Sequence, residues 1–172
     1  MRSQGCHIVD LLFYLARSRP VRVFGEGANL THPDDSSIDQ MVATIRFENG
    51  SVASWIQGDS GTAHRGSKFS MELHDAGRNT VEIYNRLKSV TIRIGRRIEH
   101  LHRYEEEGLY FQNVHFVDCL RRNRDLPCTE MDGLLATLLV ERCIQSSMSG
   151  KAETIFWDGN RPVLKRTEGE YR

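Results

Sequence analysis

Residues 40–57, QMVATIRFENGSVASWIQ, hold two runs of alternating side chains separated by Asn49-Gly50. Alternation with a period of two predicts a β-strand on each side of this pair, over 41–47 and over 52–57. Asn-Gly between two such runs predicts a hairpin with a type I′ turn, because both central residues of that turn need a positive φ. The hairpin is the strongest local signal in the chain, and the rest of the fold is predicted outward from it.

The predicted turn also fixes which side chains share a face of the hairpin. With Asn49-Gly50 as a two-residue loop, Phe47 is expected opposite Val52. One face then carries Met41, Ala43, Ile45, Phe47, Val52 and Ile56, and the other carries Val42, Thr44, Arg46, Ala53, Trp55 and Gln57. Because the second face would leave the apolar area of Val42 and Trp55 in water, we expect another surface to cover it.

Helical and strand patterns flank the hairpin on both sides. Apolar residues at i, i+3, i+4 and i+7 predict an amphipathic helix over 5–17, which Pro20 terminates. Alternation predicts a meander of antiparallel strands over 69–74, 81–84, 90–94 and 97–102. Helices are predicted over 109–122 and after the capping-box sequence 129–132, with Gly150 as the stop.

Strands followed by helices are typical of the α+β class. We therefore predict a single domain over residues 1–172, in which an open, mostly antiparallel sheet of about six or more strands carries helices packed on one face. The 172 residues, 39% hydrophobic and 27% charged, are enough to bury a core without disulfides or metals.

Charge and cysteine content narrow the possible partners and the compartment. The 23 basic residues balance 23 acidic ones, so no global positive field attracts nucleic acid or an anionic membrane. The apolar run at 8–16 contains Asp10 and is too short to span a bilayer, and no signal peptide is evident. The four cysteines, Cys6, Cys119, Cys128 and Cys143, form no C-x-x-C pair, so we expect free thiols and a cytoplasmic location.

Histidines are the first candidates for chemistry, because imidazole titrates near neutral pH. His7 follows Gly5 in the first turn of the first predicted helix, where it is either a packed or capping side chain or a general acid/base. Asp10 lies three residues further on and shares a stripe of the helix with it. His64 and Arg65 stand in a loop rich in Gly, Ser and Thr, where they could contact an anionic or hydroxylated ligand.

The sequence shows no clear motif for binding a dinucleotide or a metal ion. Gly25-Glu26-Gly27 does not continue into the G-x-G-x-x-G start of a helix, and there is no P-loop. His100 and His102 share a face of a predicted strand, but no carboxylate or cysteine partner is evident nearby, and no metal site is predicted. A metal-dependent lyase or hydrolase that uses His64, His74, His100 or His102 is kept as the weakest of the alternatives.

Several segments together resemble a known family. Gly5 to Leu12, GCHIVDLL, resembles the G-x-H-x-x-D segment that opens the C-terminal domain of the glucose–fructose oxidoreductase/inositol dehydrogenase/MocA (Gfo/Idh/MocA) superfamily. The strand, Asn-Gly and strand of residues 40–53 are similar to that family's hairpin. Residues 116–121, Pro127 and residues 132–151 are similar to its two closing helices.

The resemblance implies a fold, an activity and partners. Members are NAD(P)-dependent dehydrogenases and related enzymes acting on sugars, inositols and similar polyols. An N-terminal Rossmann domain, which we expect to be absent from this chain, binds the dinucleotide and supplies a catalytic lysine. The C-terminal domain is an open antiparallel sheet like that of glyceraldehyde-3-phosphate dehydrogenase, and its exposed face commonly packs against another subunit. We therefore expect NAD or NADP only in a longer parent, a sugar or polyol substrate, and a homo-oligomer through the open sheet face.

The resemblance also assigns roles to residues. His7 takes the place of the histidine beside the reacting carbinol, which relays the hydroxyl proton. Ser3 stands where the family often has an aspartate, and a serine cannot hold a carboxylate's charge. Asp10 matches an acidic position expected to orient the helix or the site. Apart from the resemblance, Asp10, His64 and Arg65 are the residues we expect to contact substrate. Ser3 favours an alternative, a non-enzymatic dimerisation or sugar-binding module that kept the fold and lost the chemistry.

Overall fold

The computed structural model describes residues 2–31, 38–58, 69–105 and 108–163, with the side chains of residues 2 and 3 left out. In chain order the elements are α1 (Arg2–Ala16), β1 (Pro20–Ala28), β2 (Gln40–Phe47), β3 (Val52–Gly58), β4 (Met71–His74), β5 (Asn79–Tyr84), β6 (Ser89–Ile94), β7 (Arg97–Arg103), α2 (Leu109–Arg121), α3 (Glu130–Ser149), β8 (Glu153–Thr154), β9 (Trp157–Asp158) and β10 (Arg161–Pro162). They fall into two compact units, the first made of Met1–Ser60 with Pro127–Arg172 and the second of Gly61–Leu126.

The first unit is a four-stranded antiparallel sheet with helices on one face. Its strand order is β3-β2-β1-β8, and α1 and α3 cover the inner face. The buried core contains Val9, Val23, Met41, Ala43, Ile45, Phe47, Trp55, Leu135, Leu138, Leu139, Val140, Cys143 and Ile155. Alternate residues of β2 are buried and exposed in turn, as a half-buried strand requires.

The two glycines of Gly25-Glu26-Gly27 let α3 approach β1. A Cβ on Gly25 would overlap the backbone carbonyl of Cys143. The Gly25 N–H donates to Ser146 Oγ at 3.0 Å, and the Gly27 N–H donates to Ser147 Oγ at 2.8 Å. Helix–strand packing therefore explains this pair of glycines.

The hairpin of β2 and β3 is present, but its predicted turn type is wrong. The Phe47 N–H donates to the Ser51 carbonyl and the Gly50 N–H donates to the Phe47 carbonyl, each at 3.0 Å. Gly50 has a φ of +88°, whereas Asn49 does not have a positive φ. This is the hydrogen-bonding pattern of a three-residue loop closed by a left-handed glycine, not that of a type I′ turn.

The longer loop shifts the register of β3 by one residue. Val52 pairs with Arg46 instead of Phe47, and Ala53 pairs with Ile45. Because successive side chains point to opposite faces, a shift of one residue turns the whole strand over. Trp55 is therefore 2% exposed in the core, and the prediction that placed it beside Val42 on the outer face is wrong.

The outer face of this sheet is open and partly apolar. We call it the open face, and it comprises Arg22, Phe24 and Glu26 of β1, Val42, Thr44 and Arg46 of β2, and Val52, Ser54 and Ile56 of β3. Ile56 is 76% exposed, Val52 61% and Val42 50%. A partly apolar outer face was predicted. On β3, however, it carries Val52 and Ile56, which the predicted register placed on the opposite face.

The second unit contains the predicted meander and one helix. Its four strands pair in the order β4-β5-β6-β7, all antiparallel, and α2 follows. The α+β class is confirmed. In the described ranges, the strands form two four-stranded sheets and the two-stranded ribbon β9-β10. The prediction of one sheet of about six or more strands is therefore wrong. Alternation identifies strands but does not fix which of them pair. A single domain over 1–172 stays a prediction.

Candidate functional site

The first helix fixes the direction in which its polar side chains point. Gly5 packs against the indole of Trp55, and a Cβ at this position would lie 2.8 Å from Trp55 Cη2. Val9, one turn further on, is fully buried. These two positions hold one stripe of α1 against the core, so that His7, which points away from that stripe, is exposed.

The start of α3 brings a second carboxyl group to α1. Thr129 and Asp132 form the predicted capping box, in which the Thr129 N–H donates to Asp132 Oδ2 at 2.7 Å. Asp132 and His7 both lie close enough to Asp10 to act on its ionisation. The charges of Asp10 and Asp132 also raise the pKa of Cys128, an exposed residue just before the cap. An imidazole, two carboxyl groups and a thiol therefore gather where the first turns of α1 meet the start of α3.

Asp10 is the carboxyl whose ionisation this arrangement changes. Partial burial raises its pKa above the ordinary value of 3.8, and the negative charge of Asp132 raises the pKa further. The positive charge of His7 acts in the opposite direction, but it is the smallest of the three causes. Asp10 thus holds its proton more readily than a free aspartate does, beside an exposed imidazole.

Two thiols of this unit, Cys128 and Cys143, are poor nucleophiles. Although Cys128 is exposed, partial desolvation raises its pKa, and the charges of Asp10 and Asp132 raise the pKa further. Burial raises the pKa of Cys143 to about 12. Because the thiolate is the reactive form, both cysteines stay protonated at neutral pH, and a thiol enzyme is disfavoured here.

The structure unites some of the predicted site residues and leaves others untested. His7 and Asp10 lie together on α1. Ser3 belongs to the first turn of that helix, but its side chain lies outside the described part, and His64 and Arg65 lie outside the described residues altogether. Their roles remain predictions.

Asp132 and Cys128 were missed as site residues by sequence reasoning. The sequence identified Asp132 only as part of a helix cap. Nothing in the pattern placed that cap against α1, because the two segments are distant in the chain and meet only through packing.

Four of the other histidines, His74, His100, His102 and His115, lie among the residues that the structure describes. His100 and His102 stack on β7 with ring centroids 5.9 Å apart, and His74 Nε2 lies 3.1 Å from a carboxylate oxygen of Glu72. Within ranges 2–31, 38–58, 69–105 and 108–163, no three His, Cys, Asp or Glu side chains are grouped so that they could hold a metal ion. Over the same ranges, every helix is too short or too polar to cross a membrane.

The G-x-G sequence at residues 25–27 does not fit a nicotinamide dinucleotide. Gly25-Glu26-Gly27 lies inside strand β1, and the N–H groups of both glycines already donate to Ser146 and Ser147. A pyrophosphate is bound by free backbone N–H groups at the start of a helix. Among the described residues these glycines therefore provide no cradle for that group.

A family model, described as the GFO/IDH/MocA C-terminal domain, matches residues 1–84. An uncharacterized oxidoreductase, YrbE of Bacillus subtilis (strain 168), is 28% identical over 164 residues, which cover 89% of this chain and 47% of that protein. The chain thus spans about half the length of this curated relative.

Solved structures share the fold. The aldose-aldose oxidoreductase of Caulobacter crescentus, complexed with glycerol, has a TM-score of 0.74 at 15% identity, over 88% of this chain and 46% of that one. The WlbA dehydrogenase of Bordetella pertussis, in complex with NADH and UDP-GlcNAcA, has a TM-score of 0.56 at 22% identity, over 90% of this chain and 44% of that one. The recognition made from the sequence is confirmed by the family model, because residues 1–84 match the GFO/IDH/MocA C-terminal domain.

Proposed function

We propose that this chain is the substrate-facing part of an NAD(P)-dependent oxidoreductase that acts on a sugar, an inositol or a related polyol. The observation that carries the proposal is His7, exposed on a helix end that Gly5 and Val9 hold in place, with the Asp10 carboxyl beside it. The family match and the sugar-related ligands of the structural neighbours support this class of substrate.

In the proposed reaction, His7 handles the proton of the reacting hydroxyl group. A ring nitrogen of its imidazole accepts that proton as the carbinol becomes a carbonyl, and returns it in the reverse direction. The Asp10 carboxyl lies close enough to the imidazole for their charges to interact. An exposed histidine with a carboxyl beside it suits proton relay.

The dinucleotide is assigned to the remainder of a longer parent. The chain covers 47% of its curated relative, and the N–H groups of Gly25 and Gly27 are occupied. We therefore expect the chain alone to neither bind NADH nor turn over substrate. The free cysteines fit the reducing cytosol expected for the parent, and the open face fits a homo-oligomer.

The first test is to sequence the gene upstream of the Met1 codon and to express the longest reading frame. A strand–G-x-G-x-x-G–helix unit in frame would supply the parent, whose reduction of NAD or NADP is then measured with inositols and aldoses. The chain alone is titrated with NADH, and saturable binding would contradict the assignment of the cofactor to the other half.

Within that parent, His7→Asn tests the proton relay. General acid/base catalysis contributes roughly 10²- to 10⁴-fold, so kcat should fall by about that factor while KM changes little. His115→Asn, on the exposed part of α2, is the matched control and should leave kcat unchanged. Full activity of His7→Asn would favour the non-enzymatic alternative.

A further inference from the structure

The contact between α1 and the core leaves no room for a side chain at Gly5. A Cβ at this position would lie 2.8 Å from Trp55 Cη2, 2.9 Å from Trp55 Cζ2 and 3.2 Å from Val140 Cγ2. The indole approaches from β3 and the valine from α3. Because both side chains are buried in the core, neither has free space into which it could move.

The indole of Trp55 fills this contact by its size and not through a hydrogen bond. In the described ranges, its buried Nε1–H has no hydrogen-bond partner. The other tryptophan, Trp157, is satisfied, because its Nε1–H donates to the Pro20 carbonyl at 2.9 Å. A phenylalanine at position 55 would leave no donor unsatisfied, but its smaller ring lacks the atoms that reach Gly5. The contribution of Trp55 to this contact is therefore the bulk of its outer ring.

Helix α1 carries His7 only two residues beyond the contact. Cys6 Sγ, next to Gly5, lies 4.0 Å from Thr137 Oγ1 of α3, and Val9 is fully buried one turn after Gly5. The first turns of α1 are thus fitted closely against their neighbours. Because backbone hydrogen bonds join successive turns of a helix, a displacement at Gly5 is passed on to the imidazole.

We propose that Gly5 and Trp55 are positioning residues, which act through α1 to set the place of the His7 imidazole. The inference rests on the proposed function and deepens it by naming what fixes the proton-relay group. Carbon atoms in contact lie about 3.5–4.0 Å apart, so Gly5→Ala should push α1 about 1 Å away from the indole. A misplacement of about 1 Å can lower the rate of a reacting group by about 10²-fold.

Suppression between the two positions tests the proposal in the parent enzyme. Gly5→Ala should lower kcat by about 10²-fold and should change KM less, because the displaced imidazole acts on the transferring proton. Adding Trp55→Phe should restore kcat by at least about tenfold, because the smaller ring makes room for the new Cβ. In the same parent, Trp55→Phe is also measured alone.

Two variants serve as matched controls. Gly133→Ala makes the same change in the first turn of α3, where a Cβ meets no neighbouring atom within 4 Å, and it should leave kcat unchanged. Trp157→Phe makes the same ring substitution away from the contact. Combined with Gly5→Ala, it should restore none of the lost kcat.

Asp10 reports the same displacement in the 172-residue chain without any need for catalysis. Partial burial and the charge of Asp132 raise the pKa of Asp10. Movement of α1 away from the core weakens both causes, so in Gly5→Ala the pKa of Asp10 should fall toward 3.8. NMR titration of the Asp10 carboxyl carbon measures this fall, and adding Trp55→Phe should reverse it.

The outcomes separate this inference from the proposed function. Wild-type kcat in Gly5→Ala, a double variant no more active than Gly5→Ala, or an unchanged pKa of Asp10 would each overturn the positioning role. Circular dichroism checks folding, and if Gly5→Ala alone unfolds, a double variant less active than Trp55→Phe would overturn it. A parent without dehydrogenase activity would contradict the proposed function, and the pKa of Asp10 in the 172-residue variants would then decide the positioning role.

Discussion

The inner face and the open face of the first sheet alternate along the same three strands, yet they differ in chemistry. The inner face of β2 carries only apolar side chains, and with Trp55 of β3 it packs under α1 and α3. The open face mixes exposed apolar residues with Arg22, Arg46 and Glu26. The inner face packs against the helix that carries His7, whereas the open face is exposed to solvent. A shift of one residue in the pairing of β3 decides which of its side chains lie on each face.

The largest expected effect is a difference in unfolding free energy between substitutions at two adjacent residues of β3. Trp55→Ala removes a 2% exposed side chain from the core and should lower the free energy of unfolding by about 3–5 kcal/mol. Ile56→Ala, at a 76% exposed position, should change it by less than about 0.5 kcal/mol. Urea unfolding of both variants measures the difference. The reverse order would restore the register predicted from the sequence.

That register shows where sequence reasoning reached its limit. Asn49-Gly50 is compatible with a two-residue loop and with a three-residue loop that ends in a left-handed glycine. Local preference does not choose between them, and the packing of Trp55 against Gly5 of α1 does. Periodicity therefore predicted the strands and helices, while tertiary contacts set the pairing.

The candidate site was predictable to the same extent. The spacing of His7 and Asp10 within one helix is local, and the motif placed both of them correctly on α1. Asp132 lies near Asp10 because α3 packs against α1, and no local sequence pattern predicts that packing. The predicted roles of Ser3, His64 and Arg65 depend on side chains outside the described part.

An intermediate effect is expected at the close approach of α3 to the inner face. Gly25→Ala places a Cβ against the carbonyl of Cys143, and relief of that overlap should cost about 1–3 kcal/mol of unfolding free energy. Gly133, in the first turn of α3, has open space where a Cβ would stand, with no atom of a neighbouring side chain within 4 Å. Gly133→Ala should therefore stabilise the chain by up to about 1 kcal/mol. Thermal unfolding of the two variants measures both signs. If both variants changed stability by the same amount, α3 would not pack against β1 as closely as the contact at Gly25 indicates.

The smallest effect concerns the charge balance at Asp10. Its pKa is raised in the folded chain above the ordinary 3.8, so just above pH 3.8 the folded state binds more protons than the unfolded state. The free energy of unfolding therefore falls as pH rises through that window, and a constant penalty remains at higher pH. Asp10→Asn removes the ionisation and should raise the unfolding free energy at pH 7 by about 0.3–0.5 kcal/mol, a small gain because solvent screens this half-exposed group.

The sign of that change decides which neighbour controls Asp10. Urea unfolding at pH 3 and pH 7 compares Asp10→Asn with the wild type and with Asp125→Asn, an exposed control. A gain at pH 7 that vanishes at pH 3 means that burial and Asp132 outweigh His7. A loss at pH 7 would mean that the attraction between His7 and Asp10 dominates. The pair would then resemble a fixed ion pair, and His7 would hold its proton too firmly to relay it during hydride transfer.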